Sequence, residues 1–179
     1  MATTYVKIAT ATAAAGGSAF LELTSIPSTY TDLMVKLSCR STGTGDLTTY
    51  VDMVINSDTG AYYDHRNVSG MLNGTVTNQT FSNQNAFYVY QIDTDSATTS
   101  TYSNTEIYLP NYTSTTSKSI SVDGAAESNT SASANRGLSL VAGLYHPASN
   151  VAINALKFTA SGGNFKQYST IILYGISKS

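Results

Sequence analysis

Two histidines, one cysteine and 11 carboxylates are all that this chain of 179 residues offers for acid–base, nucleophilic or metal chemistry. His65 lies in Asp64-His65-Arg66, and His146 precedes Pro147 at a turn. A Ser-His-Asp hydrolase needs one such base oriented by an acid and aimed at one hydroxyl, and no G-x-S-x-G elbow selects a serine. Zinc would need three or four clustered ligands, which two separated histidines and Cys39 supply poorly. Cys39 stands in the alternating run Leu33, Val35, Leu37, Cys39, which reads as a buried structural thiol. Asp93-Thr-Asp95 opens like a calcium loop, but Thr98 and Asn104 occupy the positions where a glycine and a bidentate glutamate belong. A glycosidase pair could be drawn from Glu22, Glu106 or Glu127 with a nearby aspartate, yet no spacing selects one. With no phosphate-binding glycine loop, no cofactor is expected, and neither a catalytic nor a metal residue is assigned.

Composition points away from a diffusing enzyme. Charged residues make up only 11% of the chain, whereas Ser and Thr together number 50, so hydroxyls and amides carry the surface polarity. A net charge of −2 with scattered basic residues gives no footprint for nucleic acid or a membrane surface. Residues 1–18 lack the apolar core of a secretory signal, and no stretch reaches the ~20 apolar residues of a membrane helix. Five N-x-S/T triplets follow from composition rather than marking glycosylation. Tyrosine is the one excess, 13 residues against 5 Phe and no Trp. It suits sheets, and it also suits stacking on sugars or subunit contacts.

The elements around these residues are strands. The terminal run Thr170 to Ile176 puts Ile171, Leu173 and Gly175 on one face and Ile172, Tyr174 and Ile176 on the other. Apolar residues on both faces predict a strand inside a sheet or at a subunit contact, with 19–26 and 32–40 as its upstream counterparts. Further strand signals recur at 49–56, 86–93, 105–109, 119–123, 138–145 and 151–160, with Gly, Pro, Asn or Ser between. Residues 67–85 read as a weak strand or long loop and 93–104 as a second exposed loop. No helical periodicity and no internal repeat are present. The expected fold is all-β, a single jelly-roll-like antiparallel β-sandwich of about eight to ten strands over 19–179. Residues 1–18 would form a short N-terminal strand or arm, loosely attached or lying on a neighbouring subunit.

Three segments carry a family resemblance. Ser25-Ile-Pro-Ser-Thr-Tyr-Thr-Asp-Leu33, leading to Arg40-Ser-Thr, resembles the opening "SIP-x-TY-x-x-L … R-x-x" of many tailed-bacteriophage virion proteins. Ile107-Tyr-Leu-Pro-Asn-Tyr112 is similar to their "IYIPNY" segment. Ala160-Ser-Gly-Gly-Asn-Phe165 followed by Ser169-Thr-Ile-Ile-Leu-Tyr-Gly-Ile176 is similar to their closing "SGNF…GST…LYGI". None is a catalytic motif. The resemblance implies a non-enzymatic capsid decoration or cement protein of the virion, assembled in the host cytoplasm. Its partners would be the major capsid protein and copies of itself, a trimer being favoured. The alternative it implies is a receptor- or glycan-binding module of a head or tail fibre, meeting a host surface glycan. Tyr5, Ile8, Ile172, Tyr174 and Ile176 are the candidate subunit or capsid contacts. Tyr62, Tyr63, Asn73, Asn78 and Tyr102 are the candidate contacts on exposed loops.

Overall fold

The computed structural model describes residues 4–71, 76–127, 137–149 and 151–177. Twelve strands form two sheets: β1 (Tyr5–Thr12), β2 (Phe20–Leu23), β3 (Asp32–Ser38), β4 (Thr48–Ile55), β5 (Tyr63–Met71), β6 (Val76–Gln84), β7 (Phe87–Asp93), β8 (Asn104–Leu109), β9 (Lys118–Ala126), β10 (Gly137–Tyr145), β11 (Leu156–Ala160) and β12 (Thr170–Ile176). The larger sheet runs β1-β12-β3-β8-β9-β10-β5-β6 and the smaller β2-β11-β4-β7, with every strand pair antiparallel. Without β5, β6, β9 and β10, the eight remaining strands divide between the sheets as β1-β12-β3-β8 and β2-β11-β4-β7. That is the jelly-roll order. The additional pairs β5–β6 and β9–β10 are two insertions that widen one sheet beyond β8. They account for the twelve strands where eight to ten were expected.

The core lies between the sheets. Leu33, Val35, Leu37, Ile107, Leu109, Ile171 and Leu173 of the larger sheet face Leu21, Val51, Met53, Ile55, Leu156 and Phe158 of the smaller, all essentially solvent-free. Alternation along β3, β8 and β12 places these residues inward, and their burial at roughly 25 cal/mol per Å² drives the fold. The terminal strand β12 is interior, between β1 and β3. Residues 5–12 are therefore an edge strand of the chain's own sheet and not a detached arm. Residues 67–85, read as a weak strand or loop, contain β6 and most of β5. β6 escaped the pattern because all its residues except Phe81 and Gln84 are exposed, so β6 is held by backbone pairing to β5 rather than by burial.

Each segment of the phage-like resemblance has a structural task. The rings at one end of the sandwich interlock. A Cβ on Gly175 would sit 2.3 Å from the Tyr30 ring, so glycine is required there. The Tyr112 hydroxyl donates to the Pro27 carbonyl. The Asp32 carboxylate accepts from the Tyr108 hydroxyl and the Asn111 amide, both at 2.8 Å. The segments 25–33, 107–112 and 174–176 thus close on one another where β12, β3 and β8 lie side by side. At the opposite end, Ser169 Oγ donates to the Arg40 carbonyl and accepts from the Arg40 amide, both at 3.0 Å. Thr42 N donates to the Asn164 carbonyl at 2.8 Å, and Phe165 is fully buried.

Candidate functional site

The residues that could do chemistry are mostly occupied. His65 points inward and is 3% exposed, with ring centroids 4.7 Å from Phe81, 5.0 Å from Phe87 and 4.9 Å from Tyr88. Neither ring nitrogen has a hydrogen-bond partner among the described residues. Burial holds its pKa down, to about 4. It is a neutral core histidine. Its neighbour Asp64 points the other way and pairs instead with His146, Nε2 to Oδ2 at 2.9 Å, while accepting from the Asn83 amide at 2.7 Å. Among the described residues no serine or threonine hydroxyl is bonded to His146, and the pair ties the turn at 146 to β5. The Cys39 thiol is solvent-free and pushed up to about 12 by burial, which keeps it protonated.

The Asp93/Asp95 motif and its loop differ from expectation. Asp93 is fully buried, and burial pushes its carboxyl up to about 6, with Thr101 and Arg40 opposing. Asp95 accepts from Lys166 and from Arg40 Nε, and the Lys166 hydrogen bond holds its pKa low. The loop between β7 and β8 wraps the Arg40 side chain, which is 2% exposed. Nη1 donates to the carbonyls of Thr98 at 2.7 Å and Thr101 at 2.9 Å, and Nη2 to the carbonyl of Ala97 at 3.0 Å. Arg40 is thus a fixed positive charge bound to Asp95, and its field opposes the upward shift of Asp93. Among the described residues no group of three or more His, Cys, Asp and Glu could hold a metal. Of the glutamates, Glu22 and Glu127 are exposed. Glu106 stands directly opposite Asp123 across β8 and β9, but its carboxylate is bound by Lys36 at 2.6 Å.

The candidate contact residues fall into two groups. Tyr5, Ile172, Tyr174 and Ile176 come together on the outer face of the larger sheet, with Tyr5 opposite Ile176 and Met34 beside Tyr174. Ile8 does not join them: it sits at the bulge in β1 and packs against the core. The same outer face continues across the inserted strands with Val68, Leu138, Leu140 and Leu144, all exposed, Leu140 to 63%. Val68 lies directly opposite Leu140. Two shallow depressions of about 580 and 340 Å³ lie along this face and share Met34 and Glu106 in their walls. The sequence reading named no contact residue on this aliphatic half: Leu138, Leu140 and Leu144 lie on the outer face of β10, and Val141 and Tyr145 are the buried ones.

The loop candidates are dispersed. Tyr63 is not exposed: it is fully buried, stacked on Tyr145 at 4.8 Å, with its hydroxyl donating to the Asp58 carbonyl at 2.8 Å. Tyr62 is half-buried against His146. Asn78 is exposed on β6, and Asn73 lies outside the described residues. Tyr102 is half-buried, its hydroxyl donating to the Gln167 carbonyl at 2.8 Å, beside the exposed Tyr168.

Fold and surface together define an all-β sandwich with no assembled catalytic constellation among the described residues and one broad apolar face. The chain belongs to the family described as the glycoside hydrolase family 5 C-terminal domain, whose model matches residues 66–164, from within β5 to the approach to β12. No curated protein and no solved structure matches the chain.

Proposed function

We propose that this chain is a non-catalytic structural protein of a tailed-phage particle, a capsid decoration or cement protein. In this reading it binds the major capsid protein at seams between capsomers and associates with its own copies, as a trimer. The observation that carries the reading is the outer face of the larger sheet. Seven interstrand gaps at ~4.8 Å and strands of about seven residues at ~3.4 Å give a face of roughly 800 Å². That matches one partner's share of a standard protein interface, ~800 Å². Tyr5, Ile172, Tyr174, Met34, Val68, Leu138 and Leu140 stud it, and its Lys36–Glu106 pair is already neutralised. Exposed apolar residues gathered on one sheet face suit a contact with another macromolecule. Burying it at many symmetric positions would offset outward pressure on a shell. The phage-like segments support the same reading, because they are the residues that interlock β12, β3 and β8 beneath this face.

The test is cryo-electron microscopy of complete particles against particles assembled without this chain. The expected result is density lost at regular positions on the icosahedral shell, with rupture at lower temperature. Density lost only at the tail or a fibre would overturn the cement reading. A second reading, a glycan-binding fibre module, is favoured by the glycoside hydrolase family membership, and that outcome would select it.

A further inference from the structure

At the end of the sandwich that carries the loops 94–103 and 161–169, Tyr102 and Tyr168 flank a small depression of about 270 Å³. Its wall is completed by Thr99, Ser100, Lys166 and Gln167, with Arg40 behind. Two backbone features single it out. Tyr168 has φ 73° and Ser100 φ 64°, both in the left-handed region. A bulky side chain there is a genuine outlier, held at roughly 1–2 kcal/mol against glycine, and such strain collects at functional sites. Tyr168 gains little from burial in return, since it is 69% exposed. An apolar ring is thus presented to solvent from a conformation that glycine would adopt freely.

The chemistry of the wall selects the ligand. The two cations are committed, Lys166 to Asp95 and Arg40 to Asp95 and the carbonyls of residues 97, 98 and 101. Their donors are largely taken up within the protein, which disfavours a phosphate or carboxylate as the ligand. The hydroxyls of Thr99 and Ser100 and the amide of Gln167 make no hydrogen bond to described residues and can both donate and accept. Aromatic faces beside uncommitted neutral hydrogen-bonding groups suit a ring with one apolar face and equatorial hydroxyls. The volume holds one such ring and not a long chain.

We infer that Tyr168, Tyr102, Gln167 and Ser100 form a binding subsite for a neutral pyranose, with Tyr168 as the stacking platform. The site stands on the isolated chain, so its failure is distinguishable from failure of the capsid reading, which particle imaging decides. The experiment is a nitrogen-15 chemical-shift titration of the whole chain with the methyl glycosides of glucose, galactose, mannose and N-acetylglucosamine, and separately with sodium phosphate. The expected result is saturable shifts from at least one glycoside, confined to residues 99–102 and 166–169, and none there from phosphate. Tyr168→Phe keeps the affinity. Tyr168→Gly weakens it about tenfold or more while raising the urea midpoint, because the backbone strain is relieved. A purely structural Tyr168 would leave sugar shifts unchanged in the glycine variant. That result, no shift with any of the four glycosides, or phosphate shifts at the same residues, each overturns the assignment.

Discussion

Replacing Arg40 by alanine should unfold the loop between β7 and β8 and cost a large share of the stability. Arg40 is 2% exposed, and its guanidinium supplies the donors for the carbonyls of Ala97, Thr98 and Thr101. Removing it strands the Ala97 and Thr101 carbonyls and leaves a void, while the Thr98 carbonyl keeps the Thr101 hydroxyl as a donor. Each unsatisfied carbonyl costs about 1–3 kcal/mol if it stays dry. Water can enter from the side of Thr99 and Ser100, where the wall is open, so the sum is not reached. The expected loss is about 3–5 kcal/mol, the range for breaking a buried charged network from one side. Arg40→Lys should recover part of this, since one ammonium reaches fewer carbonyls and lacks the planar fork. The assay is urea unfolding followed by far-ultraviolet circular dichroism, with amide exchange of residues 94–103 as the local readout. A loss below about 1 kcal/mol for Arg40→Ala, or unchanged exchange in the loop, would refute the claim that this cation organises it.

Other outcomes follow from the same contacts. Buried His65 titrates near 4 in the folded chain against an ordinary 6.5, so the unfolded chain binds the extra proton and stability falls as pH drops through that window, by up to about 3 kcal/mol. Asp93, raised to about 6 from 3.8, works the other way: the folded chain holds the extra proton, and stability rises as pH drops from about 6 toward 4. The two nearly cancel, so urea midpoints of the parent chain should be flat over that range. His65→Leu should gain stability on acidification and Asp93→Asn should lose it; parallel profiles for all three chains would show the reasoning wrong. Gly175→Ala forces a Cβ into the Tyr30 ring and should cost about 1–3 kcal/mol, with Tyr30→Ala recovering part of it in the double variant. Leu140→Glu, on the exposed face, should stay within about 0.5 kcal/mol of the parent in urea yet fail to rebind particles that lack the chain. Rebinding at parental strength would remove that face from the capsid contact.

The sandwich was legible where burial imposes alternation, as in β3, β8 and β12. It was not legible in β6, whose Thr and Asn residues are exposed on either side and record no face. The loop 93–104 read as solvated because its partner is one arginine recognised by main-chain carbonyls, which any sequence supplies. Tyr63 looked like a loop residue because turn signals surround it, but its place was set by Tyr145, far away in the chain. The pair Asp64–His146 spans 82 positions and has no local signature. The Tyr5, Ile172, Tyr174 and Ile176 patch was legible because β12 is apolar on both faces, and only one can be core. Its continuation through Leu138 and Leu140 was not, since period two gives two faces without saying which one is inward.

The two inserted hairpins depend on each other in one direction only. β9–β10 rests on β8, a jelly-roll strand, whereas β5–β6 rests on β10. A relative could therefore lose β5–β6 and keep a continuous sheet ending at β10. Losing β9–β10 alone would leave β5–β6 with no neighbour in its own sheet. The width of the outer face thus rests on a chain of pairings that runs from β8 outward, with β5–β6 the last to be supported.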